Sequence, residues 1–360
     1  MVTDLFIASS LILSLYVVGV SWLKKRYIYR LEKMHPHRQC FDIIGDAYAL
    51  EFPFAFQKSY ELALYRTFAI PSIAKLLDKT GEFRRGAGKR YDDTDLLLRE
   101  MIENKLSYRG LTCLKRLNYI HGRYSISNED YLYVLSTFIY EPNRYCSKWG
   151  WRSLRKTERE ALFYIFGRLG ECMGIKNIPN TWNAFEAFNT QYEKEHFEYS
   201  LPGARVAEAS LQLMLRKYPS CMRFLVRQVL ISIMDTPLRV ATGMSQPWLV
   251  FRWLTPILLQ VQGLWTRYLM LPRTDWQRVH RTPKTINSTS ICPYIPQWDP
   301  YEKTYQQEGY RLERLGPTWM KEELGQIHGP NAQKMESLWE QGKQGHTIGA
   351  FEFPIQDFAL

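Results

Sequence analysis

Apolar residues recur along this chain at helical spacing, and the first apolar stretch is uninterrupted. Leu5 to Leu23 contains nineteen residues without a charged side chain. Further on, apolar positions repeat every three or four residues, as at Leu111, Leu114 and Leu117, which is the period of an amphipathic helix. We find no segment with the sustained alternation of a half-buried strand. The pattern therefore predicts an all-α protein.

The uncharged stretch predicts a transmembrane helix over residues 5–23. At about 1.5 Å per residue, this length spans roughly the hydrocarbon core of a bilayer. A cleaved signal peptide is the alternative, but such peptides have a basic start and a small-residue cleavage site. Here the early charge is Asp4 and the bases follow the span. We predict an uncleaved, single-pass anchor that is preceded by a short lumenal segment, residues 1–4.

The segment that follows the span, residues 24–40, is strongly basic. Its bases are Lys24, Lys25, Arg26, Arg30, Lys33 and Arg38, and its acid before Cys40 is Glu32. Positive charge collects on the cytosolic side of a membrane, so the body of the protein is predicted to face the cytosol. The sequon at Asn287 would be glycosylated only in the lumen, and we therefore predict that it carries no glycan.

The helical pattern after residue 40 predicts one large all-helical domain over 41–292. Beyond it, residues 293–360 are rich in proline, tyrosine and tryptophan, with short helical pieces, and predict an extension draped over the domain or a partly ordered tail. Trp253 to Trp265 is the next most apolar run, but it is short for a span and contains two glutamines. That run fits a buried helix or a surface that touches the membrane.

Residues 89–141 form the most informative part of the domain. A basic, glycine-rich approach over 84–90 is followed by the acids and threonine of 92–95, which predict a helix N-terminus there. In the next helix His121 continues the apolar stripe, so its imidazole is predicted to face the interior. It is either a hydrogen-bonded core residue or a metal ligand. Ser127 and Asp130 have capping-box spacing at the start of a third helix.

The net charge and the spacing of the cysteines narrow the classes of partner and cofactor that the protein can have. The net charge of +11 is partly explained by the basic segments near the anchor and at 84–90, and no zinc-finger, RRM or helix-turn-helix signature accompanies it. Attraction to anionic lipid is the simpler explanation, and we predict no nucleic-acid partner. The six cysteines lack paired spacing and are predicted to be reduced. The absence of a C-x-x-C-H motif excludes a c-type haem.

These motifs carry a resemblance to a known family. The run KRYDDTD, followed about thirty residues later by NYIHGRYSISNEDYLYVLSTF, resembles the catalytic domain shared by bacterial rubber oxygenases and fungal ER-bound oxygenases of mycophenolic acid biosynthesis. The resemblance is closer to the fungal branch and covers about residues 40–270. It implies a helical, globin-like haem-binding domain behind the anchor.

The resemblance also implies roles for individual residues. It implies that His121 is the axial ligand of a haem b iron, and that Arg90 and Thr94 are the family's pair near the haem. Lys89, Arg90 and His121 are the predicted cofactor-binding residues, and Arg90 with Thr94 the predicted catalytic ones. Asp93 stands where the rubber branch can carry an iron-capping lysine, so no lysine-capped state is expected. No residue matches that branch's catalytic glutamate, because Glu82 has the wrong spacing.

The expected function is a haem-dependent, O2-consuming oxygenase in the ER membrane. By resemblance it would cleave a carbon–carbon double bond in the prenyl side chain of an apolar isoprenoid or meroterpenoid of secondary metabolism. Its expected partners are that substrate, ER membrane lipid and other enzymes of the pathway. Two alternatives remain: a membrane-anchored lipid- or protein-binding module with a structural His121, and a non-haem iron oxygenase.

Overall fold

A computed structural model describes residues 2–286, 291–295, 299–320 and 332–344. The predicted sequon at Asn287 lies outside these ranges. The described residues form fifteen α-helices, at Val2–Glu32 (α1), Cys40–Asp46 (α2), Pro53–Thr67 (α3), Pro71–Thr80 (α4), Glu82–Glu103 (α5), Tyr108–His121 (α6), Asn128–Trp149 (α7), Lys156–Cys172 (α8), Trp182–His196 (α9), Leu201–Leu215 (α10), Ser220–Ser232 (α11), Thr236–Ala241 (α12), Leu249–Tyr268 (α13), Lys303–Glu308 (α14) and Ala332–Lys343 (α15). Within those ranges no strand is present, so the all-α prediction is confirmed.

The first helix, α1, extends well beyond the predicted span. Within the described ranges it is the one helix long and apolar enough to cross a membrane, and its apolar window is almost wholly exposed. The helix continues through the basic segment to Glu32, where Leu31 is buried in the main core. The apolar segment is therefore joined to the domain by a continuous helix, without a flexible linker at residue 24.

The core of the domain lies between α3, α5, α6, α7 and α8. Pro53 and Pro71 occupy the first positions of α3 and α4, where the missing N–H of proline leaves no intrahelical hydrogen bond unmade. Helix α3 packs along α7, and α5 packs along α6. Fully buried side chains such as Phe56, Leu96 and Leu114 fill the space between them. This packing holds the helix that carries His121 against the helix that carries Arg90.

Helix α5 begins ten residues earlier than predicted. It starts at Glu82 and bends at Gly86, whose backbone angles (φ −157°, ψ 54°) are not helical. The expected N-cap role of residues 92–95 is wrong, because these residues lie inside the helix. Asp92 and Asp93 are instead buried by the C-terminal extension. A cluster of small acids is typical of a helix N-terminus. The partners that bury these acids lie too far along the chain to be inferred from the local pattern.

The described part of the C-terminal extension packs over α5 and α6. The Tyr305 and Tyr310 hydroxyls donate hydrogen bonds to the carboxylates of Asp93 and Glu100. Gly88 permits close approach of the extension, because a Cβ at this position would come within 2.8 Å of the Tyr301 Cβ. Residues on both sides of position 292 share one hydrophobic core. The described part of the extension is therefore draped over the domain, and the predicted boundary at 292 does not coincide with a break in packing.

One contact of the extension predicts a pH-dependent stability. Burial raises the pKa of the Asp92 carboxyl to about 7, although the Glu302 backbone N–H donates to its Oδ2 at 2.6 Å. The unfolded chain releases this proton near pH 4, so the native state holds more protons between pH 4 and 7. The free energy of unfolding contributed by this group therefore falls as pH rises through that window.

We expect the Asp92→Asn variant to lose this dependence. Its neutral amide keeps an acceptor for the Glu302 N–H, so the variant should exceed the parent in stability at pH 8 by a few kcal/mol, on the order of 1.4 per pKa unit. The two proteins should match at pH 4. Thermal unfolding over this range measures the effect, with Asp299→Asn at an exposed acid of the extension as control. Parallel pH profiles for parent and variant would contradict the assignment.

Candidate active site

A cavity of about 570 Å³ lies between the helices of the core. Its walls come from α3, α4, α5, α6, α7, α8 and α10, and from Gly316 and Pro317 of the extension. The apolar lining includes Phe68, Leu76, Leu97, Leu117, Val134, Leu135, Phe138, Phe166, Leu169 and Met214. A cavity of this size with few polar groups is suited to an apolar ligand or a flat prosthetic group.

His121 is the last residue of α6 and lines this cavity. Its imidazole Nδ1 is buried and finds no hydrogen-bond partner among the described residues. Burial, aided by the positive charge of Arg90, lowers the pKa of His121 to about 4. The ring is therefore neutral at pH 7 and keeps a lone pair available for a metal. A buried nitrogen of a structural core histidine would be expected to have a hydrogen-bond partner, so the unpartnered Nδ1 favours the ligand interpretation.

Arg90 and Thr94 form a second polar group on the cavity wall. They lie one turn apart on α5, and the Arg90 Nη1 donates a hydrogen bond to the Thr94 Oγ1. The Thr94 hydroxyl in turn donates to the Arg90 carbonyl at 2.9 Å. Burial lowers the pKa of Arg90, which still remains charged at pH 7. Thr94 is thus a positioning residue that holds the guanidinium, rather than a helix cap.

Lys89 points to a different set of partners. Its ammonium pairs with the Asp93 carboxylate at 2.7 Å and donates to the Gly316 carbonyl at 2.7 Å. Lys89 is not among the residues that line the cavity, whereas Asp93 and Gly316 are. The structure therefore gives Lys89 a role in fastening the extension across the cavity. Its predicted contact with the cofactor stays a prediction.

Sequence reasoning missed several polar residues of the cavity. Tyr124 follows α6, and Tyr131 lies in the first turn of α7, with its ring 5.8 Å from that of His121. Burial raises the pKa of Tyr131 to about 12, so its hydroxyl is protonated at pH 7. Glu82, set aside on spacing, also lines the wall. The sequence did contain a signal for the two tyrosines. Tyr124 lies just after the end of α6 and Tyr131 near the start of α7, and these two helices meet at His121.

Comparisons with known proteins bear directly on this site. Residues 113–269 match the family described as "ER-bound oxygenase mpaB/B'/Rubber oxygenase, catalytic domain". The ER-bound oxygenase mpaB of Penicillium roqueforti (strain FM164) is 32% identical over 222 residues, which cover 56% of this chain and 74% of that protein. This chain is a member of that oxygenase family. It is therefore an oxidoreductase that acts with dioxygen.

Two further members of the oxygenase family support the assignment. The ER-bound oxygenase mpaB' of Penicillium brevicompactum is 28% identical over 331 residues, covering 79% of this chain and 78% of that protein. The mpaB of the same species is 36% identical over 157 residues, covering 41% of this chain and 40% of its own length. The family match includes His121 but begins after Arg90 and Thr94. The alternative of a binding module without catalysis is therefore wrong, because the chain is an oxygenase.

Membership in an oxygenase family implies an O2-dependent metal cofactor, and the cavity can be tested for fit to one. Within the described ranges, no group of three or more His, Cys, Asp or Glu side chains is arranged to hold a metal ion. A facial triad therefore has no counterpart there. A b-type haem needs one axial side chain and a large apolar pocket, and His121 and its cavity supply both. The residues present fit haem.

Proposed function

We propose that this protein is a membrane-anchored, haem-dependent oxygenase that cleaves a carbon–carbon double bond in a prenyl side chain. The observation that carries the proposal is the neutral imidazole of His121 in an apolar cavity of about 570 Å³, with a buried Nδ1 that has no hydrogen-bond partner among the described residues. Bound haem would supply the iron at which dioxygen is activated. Addition of both oxygen atoms across the double bond breaks that bond and leaves two carbonyl groups.

The residues of the chain have separate roles in this proposal. His121 would hold the iron through its neutral ring. Arg90, steadied by Thr94, places a positive charge at the cavity wall, where it can pair with a haem propionate or stabilise negative charge that develops on oxygen. Leu, Ile and Phe side chains exclude water and bind the prenyl chain. Tyr131 offers a protonated hydroxyl near His121 as a hydrogen-bond donor.

The relatives are named for the ER, and we propose the same membrane for this chain. Its apolar helix α1 would cross the bilayer once, and the bases at its C-terminal end would hold the domain in the cytosol. A prenylated substrate concentrates in the bilayer beside the domain. Other enzymes that act on the same lipid-dissolved intermediate would be its neighbours on the membrane.

The proposed cytosolic orientation of the domain predicts whether Asn287 is glycosylated. In cells that glycosylate ER proteins, we expect no glycan on this sequon, because a cytosolic domain never meets the lumenal transferase. Electrophoretic mobility before and after endoglycosidase treatment measures this, with Asn287→Gln as the matched variant. A mass shift that is abolished both by the endoglycosidase and by Asn287→Gln would place the domain in the lumen.

The reaction is tested with microsomes that contain the protein, supplied with dioxygen and a panel of farnesylated aromatic compounds. We expect shortened products with a new carbonyl group, and 18O2 should label both halves of the cleaved bond. Microsomes with the His121→Ala variant serve as the control and should form none. Binding of the compounds without any shortening, by a protein that contains haem, would contradict the proposed reaction.

A further inference from the structure

Helix α13 has its apolar residues on the outside of the protein. Nearly all its large apolar side chains are exposed, and several exceed half exposure: Leu249, Val250, Trp253, Ile257, Leu258, Val261, Leu264 and Trp265. Its fully buried residues are Thr255 and Gly263. A water-facing helix of a soluble domain shows the opposite arrangement. Exposed apolar area of this extent marks a surface that another apolar phase covers.

Packing explains why α13 is turned this way. A Cβ at Gly263 would lie 3.0 Å from the Gly150 carbonyl and 3.1 Å from the Trp149 carbonyl, at the C-terminal end of α7. The small residue therefore permits close backbone contact and sets the inward face of α13. The remaining circumference of the helix is left outside. The exposed face is a consequence of tight packing and does not reflect a loosely attached helix.

The C-terminal end of α13 is tied to the membrane-spanning part of α1. The Tyr16 hydroxyl donates to the Leu269 carbonyl at 2.8 Å, and the Lys24 ammonium donates to the carbonyls of Thr266 and Arg267. Tyr16 precedes the end of the uncharged run by seven residues, which is about 10 Å along a helix. When α1 spans a bilayer, Leu269 therefore lies below the headgroup level of that bilayer.

Helix α11 extends the apolar face beside α13. Met222, Phe224, Leu225 and Val229 are exposed, and the Phe224 ring packs on Trp248 with centroids 4.9 Å apart. The charge near this face is mainly positive. From Ala209 to Thr274 the chain has eight Lys or Arg residues and a single acid, Asp235, which pairs with Arg66. Two of these bases, Lys217 and Arg227, pair with Asp299 and Glu208 outside the segment, which leaves an excess of six bases. This distribution complements an anionic leaflet.

We propose that α11 and α13 are a membrane-embedded face, which seats the catalytic domain in the leaflet that the C-terminal half of α1 enters. The occupant of the face is the acyl and glycerol region of the phospholipid bilayer. Helix α13 lies in the interface as an amphipathic helix and does not span the membrane, since Arg252 and Arg267 bracket its apolar run. The inference depends on α1 as an anchor and is independent of the haem chemistry.

Site-directed spin labelling of the full chain tests this face. Cys221 is the exposed cysteine and the other five are buried, so Cys221→Ser gives a background without reactive surface thiols. Ile257→Cys and Val261→Cys report on the face, Val18→Cys on the span, and Trp319→Cys is a matched control in the extension; side-chain exposures are 51%, 52%, 66% and 52%. The labelled proteins are placed in nanodiscs of phosphatidylcholine and phosphatidylserine.

Collisions with dissolved oxygen and with a soluble nickel chelate are then measured by EPR. We expect the labels at 257 and 261 to behave like the label at 18, with high oxygen and low nickel accessibility, and the label at 319 to show the reverse. Water-like labels at 257 and 261 would overturn the proposal. Labels that become shielded from both reagents as the protein-to-lipid ratio rises would also overturn it, because a second copy of the chain would then cover the face. Circular dichroism confirms that each variant is folded.

Discussion

The His121→Ala variant is expected to lose the proposed haem. A b-type haem without covalent attachment is held by its axial bond and by burial, and His121 supplies the predicted axial bond. Purified in detergent beside the parent protein, the variant should show a Soret absorbance reduced by most of its amplitude. Its α-helical content should remain, because the His121 ring lies at the cavity wall and its Nδ1 makes no hydrogen bond to the described residues.

Two controls separate ligand loss from general damage. Added imidazole should restore part of the Soret band in His121→Ala, since the free ring can enter the space left by the side chain. Tyr131→Phe changes a neighbouring ring of the same cavity without removing an iron ligand, and it should retain the haem. Equal haem content and an unchanged spectrum in His121→Ala would show that another residue binds the iron.

The Arg66→Met variant is expected to have the largest effect on stability. Arg66 is buried in α3, where its Nε donates to the Glu193 carboxylate at 2.7 Å and lies 3.6 Å from the Glu141 carboxylate. Its Nη1 also pairs with Asp235. Removal of one partner of a buried ion pair leaves uncompensated charge, which destabilises a protein by roughly 3–5 kcal/mol. The network joins α3, α7, α9 and the start of α12, so all four helices should loosen.

Chemical denaturation in detergent measures the free energy of unfolding of Arg66→Met. The matched control is Arg205→Met, because Arg205 is more than half exposed and lies 3.4 Å from Asp78. An exposed pair contributes about 0–1 kcal/mol, so this control should unfold close to the parent. If both arginine variants unfold alike, the buried network does not stabilise the packing of these four helices.

The sequence by itself determined the elements whose causes are local. The uncharged run of α1 and the Ser127 cap at the start of α7 were both predicted where the structure has them. Helix period likewise placed His121 on the inward stripe of α6. Such features depend on residues within one or two turns, so their physical causes can be read along the chain.

The tertiary structure alone decided what the side chains contact. Asp92 and Asp93 looked like capping acids, but contacts with an extension some two hundred residues later bury them. Trp253 to Trp265 fitted a buried helix or a membrane surface, and Gly263 against the end of α7 excludes the buried helix by turning the apolar residues outward. A partner distant in sequence leaves no periodic signal, because burial depends on which surfaces meet after the helices pack.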